Sequence, residues 1–344
     1  MASDRPIPVI SVFSGLEPGW KWYVEETIGK AYWDFHTEEA KTLLERKIRR
    51  PRLSRVAGAF RCVSSARRLS SSAVAACSQY NTMWAAIALR VLAVQIPLLS
   101  FSFHFPRLPK GLRLLIMKWA FSRVERFMVH SEAEKERYAK HFGLSVERFQ
   151  LVRWGVQPSS VQIEDLPPPI ESPYICALGK DGRDYRTLIE AMKMLPELTL
   201  IAVAQPYNLT GIDIPKNVKI YCDIPLVEAT NILKHSQFMA LPLESDETSC
   251  GHITLVSAMY CKKAIVATSS SGIADYFPVG YDAPKIAAGD VEGWVKALGA
   301  MAADHDRLER CAIAGEKFAY EYCSRDASYR GTMDVFRKGG IVIG

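Results

Sequence analysis

The chain has 344 residues, and what it lacks narrows its class. Its eight cysteines, at 62, 77, 176, 222, 250, 261, 311 and 323, form no Cys-x-x-Cys pair, and no two histidines stand at ligand spacing. That argues against a zinc module or a disulfide scaffold and fits the reduced thiols of a cytoplasmic protein. The N-terminal MASDRPIPVISVF has no basic segment leading into a long apolar run, so no secretory leader is expected. Met83 to Phe103 is the most membrane-like stretch, but Arg90, Gln95 and Pro97 interrupt it. It falls short of the ~18 apolar residues that mark a spanning helix, and a buried helix followed by a buried strand is expected there. No unit repeats at solenoid spacing, and no metal-ligand set or cofactor motif is read.

Negative charge is missing from one long stretch. No Asp or Glu occurs between Glu45 and Glu125, where Arg49, Arg50, Arg52, Arg107, Lys110 and Arg113 stand with other cations. Residues 1–150 carry 24 Lys and Arg against 13 Asp and Glu, a net of +11; the remainder carries 19 against 24, a net of −5. A solvated basic face accounts for single charges. An acid-free run of this length suggests an anionic partner: membrane lipid, nucleic acid or a phosphorylated acceptor.

What is present is alternation. PVISVF (8–13), AVAAC (73–77) and IPLLSFSF (96–103) are short apolar runs that predict buried strands. RFMVHSEAEKERYAKHFG predicts a strand at Phe127–Val129, a helix opened by a Ser131/Glu134 capping box, and a stop at Gly143. The segment 154–173 has five prolines and no periodicity, and reads as an interdomain linker. Beyond it the alternation restarts with YICAL, YRTLIEAMKML, LTLIAVA, VKIYC, LVEATNILKHS and FMALPL, and ends in helical patterns to about Arg337. Such alternation predicts α/β architecture with mostly parallel sheets. The expected division is a domain at 1–157, a second at 158–325, and a helix and tail at 326–344 packing back on the first.

In open parallel sheets ligands bind beyond the carboxyl ends of strands. Gly15, His104, Gly179 and the Glu247–His252 loop each follow a predicted strand. The last, ETSCGH, leads into the helix ITLVSAMYC, so backbone N–H groups and the positive end of a helix dipole meet there. Gly251 allows close approach, which suits a phosphate. A Cys250 nucleophile with His252 as base lacks a third orienting group, and a metal needs more ligands. Upstream, ALGKDGRDYRTLIEAM places Lys180 and Arg183 beside two glycines, a natural clamp for a diphosphate.

These segments resemble the nucleotide-binding domain of GT-B glycosyltransferases, in particular the glycogen-synthase-like family of bacterial polysaccharide and lipid-sugar transferases. GKDGRDYRTLIEAM is similar to that family's Gly-Arg…Lys-Gly…Leu-Ile-Glu-Ala segment, with Lys180 and Arg183 at its two diphosphate-binding positions. The run from Ala240 to Phe277 resembles its Pro-Ser…Glu-Gly-Phe-Gly…Leu-Glu-Ala-Met…Gly-Gly-Ile-Pro-Glu segment, and the likeness extends from about Trp154 to Arg337. The resemblance implies two Rossmann-like, doubly wound domains facing a central cleft. It implies transfer of a sugar from a UDP- or GDP-type donor, with no cofactor and no metal, to an acceptor on the basic first domain. It puts His104 where the family has a histidine that contacts the donor sugar, and Gly15 where the first loop approaches the diphosphate. Asp275, in SGIADYF, is a further candidate near the sugar. One departure stands out: the family's E-x7-E carboxylates fall on Ser249 and Ser257, with Glu247 a stand-in for the first and Ser257 a ribose contact. The rivals are a non-catalytic nucleotide-binding or partner subunit and a sugar-nucleotide epimerase of the same fold. The basic, aromatic LRLLIMKWAFSRVER (112–126) reads as an amphipathic helix packed on the sheet. With its acid-free surroundings, peripheral contact with an anionic membrane at the cytoplasmic face and a lipid-linked acceptor are the expected partners, and nucleic acid is not.

Overall fold

A computed structural model describes residues 6–15, 21–48, 52–105, 107–158, 161, 166–247 and 249–344. Arg49, Arg50, Thr248 and part of the proline-rich segment lie outside the described residues. Contacts divide the chain into two units, Met1–Val152 with Tyr329–Gly344, and Arg153–Ser328.

The first unit runs β1 (Val9–Phe13), α1 (Lys21–Glu26), β2 (Tyr32–His36), α2 (Leu43–Lys47), α3 (Leu53–Arg68), β3 (Ala73–Cys77), α4 (Gln79–Val91), β4 (Leu98–Phe101), α5 (Gly111–Phe121), β5 (Arg126–Val129), α6 (Glu132–Phe142) and β6 (Phe149–Leu151). All its strands pair in parallel in the order β2-β1-β3-β4-β5-β6. The pleat explains the apolar run in β3. Val74 and Ala76 enter the core under α3 to α6, while Ala73 and Ala75 enter the opposite core, so both faces demand apolar side chains. Local chemistry sets the helix ends. Ser131 accepts from the Glu134 N–H at 3.2 Å, and Gly143 closes α6 at φ 68°.

The second unit continues with β7 (Ile175–Leu178), α7 (Tyr185–Lys193), β8 (Leu200–Val203), β9 (Val218–Tyr221), α8 (Leu226–His235), β10 (Phe238–Leu241), α9 (His252–Tyr260), β11 (Ala264–Thr268), β12 (Lys285–Ile286), α10 (Val291–Ala303) and α11 (His305–Tyr322). Its sheet is also parallel, in the order β12-β11-β10-β7-β8-β9. The last helix, α12 (Arg325–Lys338), carries Val335 and Phe336 into the first unit's core against Ile10, Leu99 and Phe101. Phe336 meets Phe101 at 5.2 Å and Trp33 edge-on at 5.9 Å.

Both strand orders reverse once. In the first unit the chain leaves β1 toward β2 and then returns to build β3 to β6 on the other side. In the second it leaves β7 toward β8 and β9, then returns through β10. At such a reversal neighbouring loops leave in opposite directions and open a crevice at the strands' carboxyl ends. The loops after β7 and β10 flank the reversal of the second unit, and Gly15 follows β1 at that of the first.

Candidate functional site

The second unit builds its site around Arg183. Asp184 caps α7 by accepting from the Thr187 N–H at 3.0 Å, which fixes the turn that carries Arg183. Backbone pairing of Arg183 with Leu243 ties this turn to the chain leaving β10. The side chain is buried, at 5% exposure. Its Nε donates to Leu178 O at 3.2 Å, Nη1 to Asp181 O at 3.0 Å, and Nη2 to Thr254 Oγ1 at 3.3 Å. The guanidinium therefore spans both loops of the reversal. A Cβ on Gly179 would lie 2.6 Å from Nη2, and one on Gly251 would lie 3.4 Å from Nη1 and Nη2. Both glycines have positive φ, 119° and 90°. The sequence predicts two alike loop cations, whereas in the fold Lys180 is exposed and Arg183 forms the floor between the loops.

Gly251 is the residue before α9, whose first N–H groups face the same place. His252 is buried, donates from Nε2 to Gly272 O at 2.8 Å, and packs on Tyr276 at 4.5 Å. It fastens the start of α9 to the loop after β11. The Cys250 thiol is pushed up by burial, against the pull of nearby Arg183. Its Sγ lies 3.6 Å from Arg183 Nη1 and 3.8 Å from Gly182 O. A thiol kept protonated by burial is a poor nucleophile. If the site takes the nucleoside diphosphate that the sequence resemblance implies, Cys250→Ser is expected to change its affinity less than about threefold, under ~1 kcal/mol; titration calorimetry of the variant measures it.

The remaining predicted residues of this unit lie on the loop after β10, on α9 and on the loop after β11. Ser249 is buried, Ser257 half-buried on α9, and Glu247 exposed in the preceding loop. Asp275 sits half-buried in the turn Ala274–Tyr276, where its carbonyl accepts from Arg153 Nε at 2.8 Å. That turn borders a cavity of about 410 Å³ lined by Ser269, Ser270, Phe277 and Lys285 among others. Asp304-His305-Asp306 is the only Asp-x-Asp triplet in the sequence. It opens α11, where Asp304 accepts from the Arg307 N–H at 2.9 Å as a cap. Among the described residues no group of three or more His, Cys, Asp and Glu is placed to hold a metal ion.

In the first unit, His104 follows β4 and its Nδ1 lies 2.9 Å from Glu134 Oε1. The Glu134 carboxylate is 1% exposed. Its Oε1 also accepts from Tyr138 at 2.8 Å, and its Oε2 accepts from the His130 N–H at 3.0 Å. Burial works against its charge, but the hydrogen bond and positive charge of His104, with smaller contributions from His130, outweigh it and hold the pKa at about 2. A carboxylate only accepts, so His104 Nδ1 donates to it and Nε2 is left for another partner. The Ser131/Glu134 spacing predicts helix capping alone, and the fold gives Glu134 this second task. Gly15 is half-buried after β1, with open space where a Cβ would be.

No protein-family model matches the chain, and no curated protein matches it. Solved structures do. HepE of Anabaena in complex with UDP matches at 13% identity and TM-score 0.71, over 96% of this chain and 99% of that one. A glycosyltransferase of Rickettsia africae matches at 10% identity and TM-score 0.71, over 96% and 98%. Sucrose-phosphate synthase of Thermosynechococcus elongatus matches at 13% and 0.71, over 96% and 98%. These neighbours are GT-B glycosyltransferases, and HepE has also been solved with UDP-glucose. The chain has their fold, two Rossmann-like α/β domains, each a six-stranded parallel sheet between helices.

Proposed function

We propose that this chain is a glycosyltransferase that moves a sugar from a nucleoside-diphosphate donor, of UDP or GDP type, to an acceptor. The observation that carries the reading is the Arg183 guanidinium between two positive-φ glycines at the strand-order reversal of a GT-B fold. As the sugar leaves, negative charge grows on the diphosphate. Arg183, the exposed Lys180 and the N–H groups opening α9 would supply the positive charge and dipoles that stabilise it. Such a clamp meets the need that a divalent cation meets elsewhere, so chelators are expected to leave turnover unchanged. Glu247 would serve near the transferred sugar, Ser249 and Ser257 would give hydroxyl contacts to sugar and ribose, and Asp275 would lie near the sugar. His104 would meet the sugar through Nε2, as a hydrogen-bond acceptor or proton carrier. Gly15 would leave room for the diphosphate. The acceptor would be lipid-linked, met at the cytoplasmic face of the membrane in polysaccharide or glycolipid synthesis. Among the described residues no helix is long and apolar enough to cross a membrane.

A panel of UDP- and GDP-sugars tested by calorimetry, with nucleoside diphosphate release followed in parallel, decides the reading. Binding of one donor with slow release of its diphosphate is expected. The serines at 249 and 257 favour one rival, a non-catalytic nucleotide-binding subunit, which would bind and release nothing even with membrane extracts supplied as acceptor. An epimerase would convert the donor without any acceptor.

A further inference from the structure

Four large side chains of α5 point away from the protein. Leu112 is 74% exposed, Leu115 64%, Ile116 42% and Trp119 50%. Their spacing, i, i+3, i+4 and i+7, puts them in one stripe of the helix. Met117, Ala120 and Phe121 on the other side are fully buried. The sequence predicts an amphipathic helix whose apolar face packs on the sheet, yet this helix has apolar residues on both faces and turns a complete stripe outward. Val91, at the end of neighbouring α4 and 63% exposed, extends it. The Arg90 guanidinium lies 4.9 Å from the Trp119 ring and donates to Trp119 O and to Ser122 Oγ, so the ring is held in place.

The charges on α5 and on the chain leading into it have one sign. Lys110 stands at the cap position of α5 with no side-chain cap, Arg113 lies in the first turn, and that turn has no acidic residue. Cations at a helix N-terminus oppose its dipole, so stability alone would select Asp or Glu there. At the same end Arg113 and Arg55 lie 5.0 and 5.3 Å from the Tyr80 ring, beside the start of α4. Arg107 precedes α5 and Lys118 lies in its last turn, all inside the acid-free run between Glu45 and Glu125.

We infer that the outward face of α5 is a docking surface for an anionic lipid bilayer, with Leu112, Leu115, Ile116 and Trp119 entering the interface and Lys110, Arg113, Arg90 and Lys118 at the headgroups. A large apolar stripe flanked by cations matches the two layers of such a membrane, apolar below and negative above. A nucleic acid offers phosphate but no apolar layer. A second copy would set these cations against themselves. The inference deepens the proposed lipid-linked acceptor and rests on it only for what is met at the membrane, because docking itself needs no sugar chemistry.

The test uses vesicles of phosphatidylcholine alone and with about 30% phosphatidylglycerol. The full chain is expected to sediment with the anionic vesicles at low salt and to release as salt rises. Brominated lipid in the vesicles is expected to quench its fluorescence, and Trp119→Phe to lose most of that quenching. Leu115→Glu/Ile116→Glu is expected to lower partitioning at least about tenfold, since both side chains face solvent and charge there opposes insertion. If that variant melts below the wild type, Leu112→Glu takes its place. Equal partitioning to neutral and anionic vesicles, none to either, or unchanged binding by the variants overturns the inference. So does a wild-type dimer that the glutamate variants make monomeric, which would assign the face to a second copy. Nucleoside-diphosphate binding measured on the same variants is expected to stay unchanged. Its absence in the wild type would sink the donor reading and leave the docking result standing.

Discussion

Gly251→Val is expected to abolish nucleoside-diphosphate binding, and Arg183→Ala to weaken it by about 1.5–3 kcal/mol, roughly 10- to 150-fold. The first effect is steric. Gly251 has φ 90°, where a β-branched residue is strained, and a Cβ there already lies 3.4 Å from Arg183 and from Leu241 Cδ1. The added methyls would fill the space a phosphate needs at the start of α9 and press on the guanidinium. The second effect removes a charged donor set that the fold holds in advance. Gly179→Ala connects the two, because its Cβ would meet Arg183 Nη2 at 2.6 Å, and a flexible guanidinium yields before the backbone does. It is therefore expected to mimic Arg183→Ala in calorimetry while the residue itself remains. Thermal melting of each variant separates loss of the site from loss of the fold. Full affinity in folded Arg183→Ala and Gly179→Ala would remove Arg183 from the site and leave it a tie between two loops.

Glu134→Gln should destabilise the first unit by about 3 kcal/mol at neutral pH, the value of a carboxylate pKa held near 2 instead of its ordinary value near 4.5. The folded pKa lies below the unfolded one, so the ionised group's contribution is complete above about pH 4.5. It declines as pH falls and is gone near pH 2. The gap between wild type and variant in urea denaturation should accordingly shrink by more than half from pH 7 to pH 3. The substitution also changes what His104 Nδ1 faces, from a carboxylate that only accepts to an amide that accepts and donates. Its pH profile of turnover should then shift, whereas a residue that merely capped α6 would leave that profile where it was. A pH-independent stability gap would mean that Glu134 is not held as the anion.

The two sheets were legible in the sequence because their central strands are buried on both faces, which leaves unbroken apolar runs such as AVAAC and FMALPL. The edge strand β2, YWDFH, escaped the same reading. Only Trp33 of it is buried, and Asp34 and His36 are half-buried partners 2.8 Å apart. The helix α3 escaped too, since its arginines hide a face made of small residues, Gly58, Ala59, Cys62 and Ala66. At the site, glycine beside lysine and arginine announces a phosphate loop, and the spacing carries that far. Burial is what spacing cannot carry. Nothing in GKDGRD says that one cation lies under the loops and the other outside. Likewise Glu134 is fully accounted for by its own helix until the fold brings His104, 30 residues earlier, to its side. The outward stripe of α5 failed for the converse reason, because periodicity shows which residues share a face and not which face the protein covers.

The passage of α12 into the first unit has a consequence for synthesis. β1, β3 and β4 emerge early from the ribosome, but Val335 and Phe336, which complete one of their two cores, come after the entire second unit. At about 5–20 residues per second, the delay after β4 is of the order of ten to fifty seconds. During it Ile10, Ala75, Leu99 and Phe101 wait under an unfilled face while the second unit, continuous in sequence, is free to fold. The second unit can therefore be complete on the ribosome before the first, which has one core open until its last helix arrives.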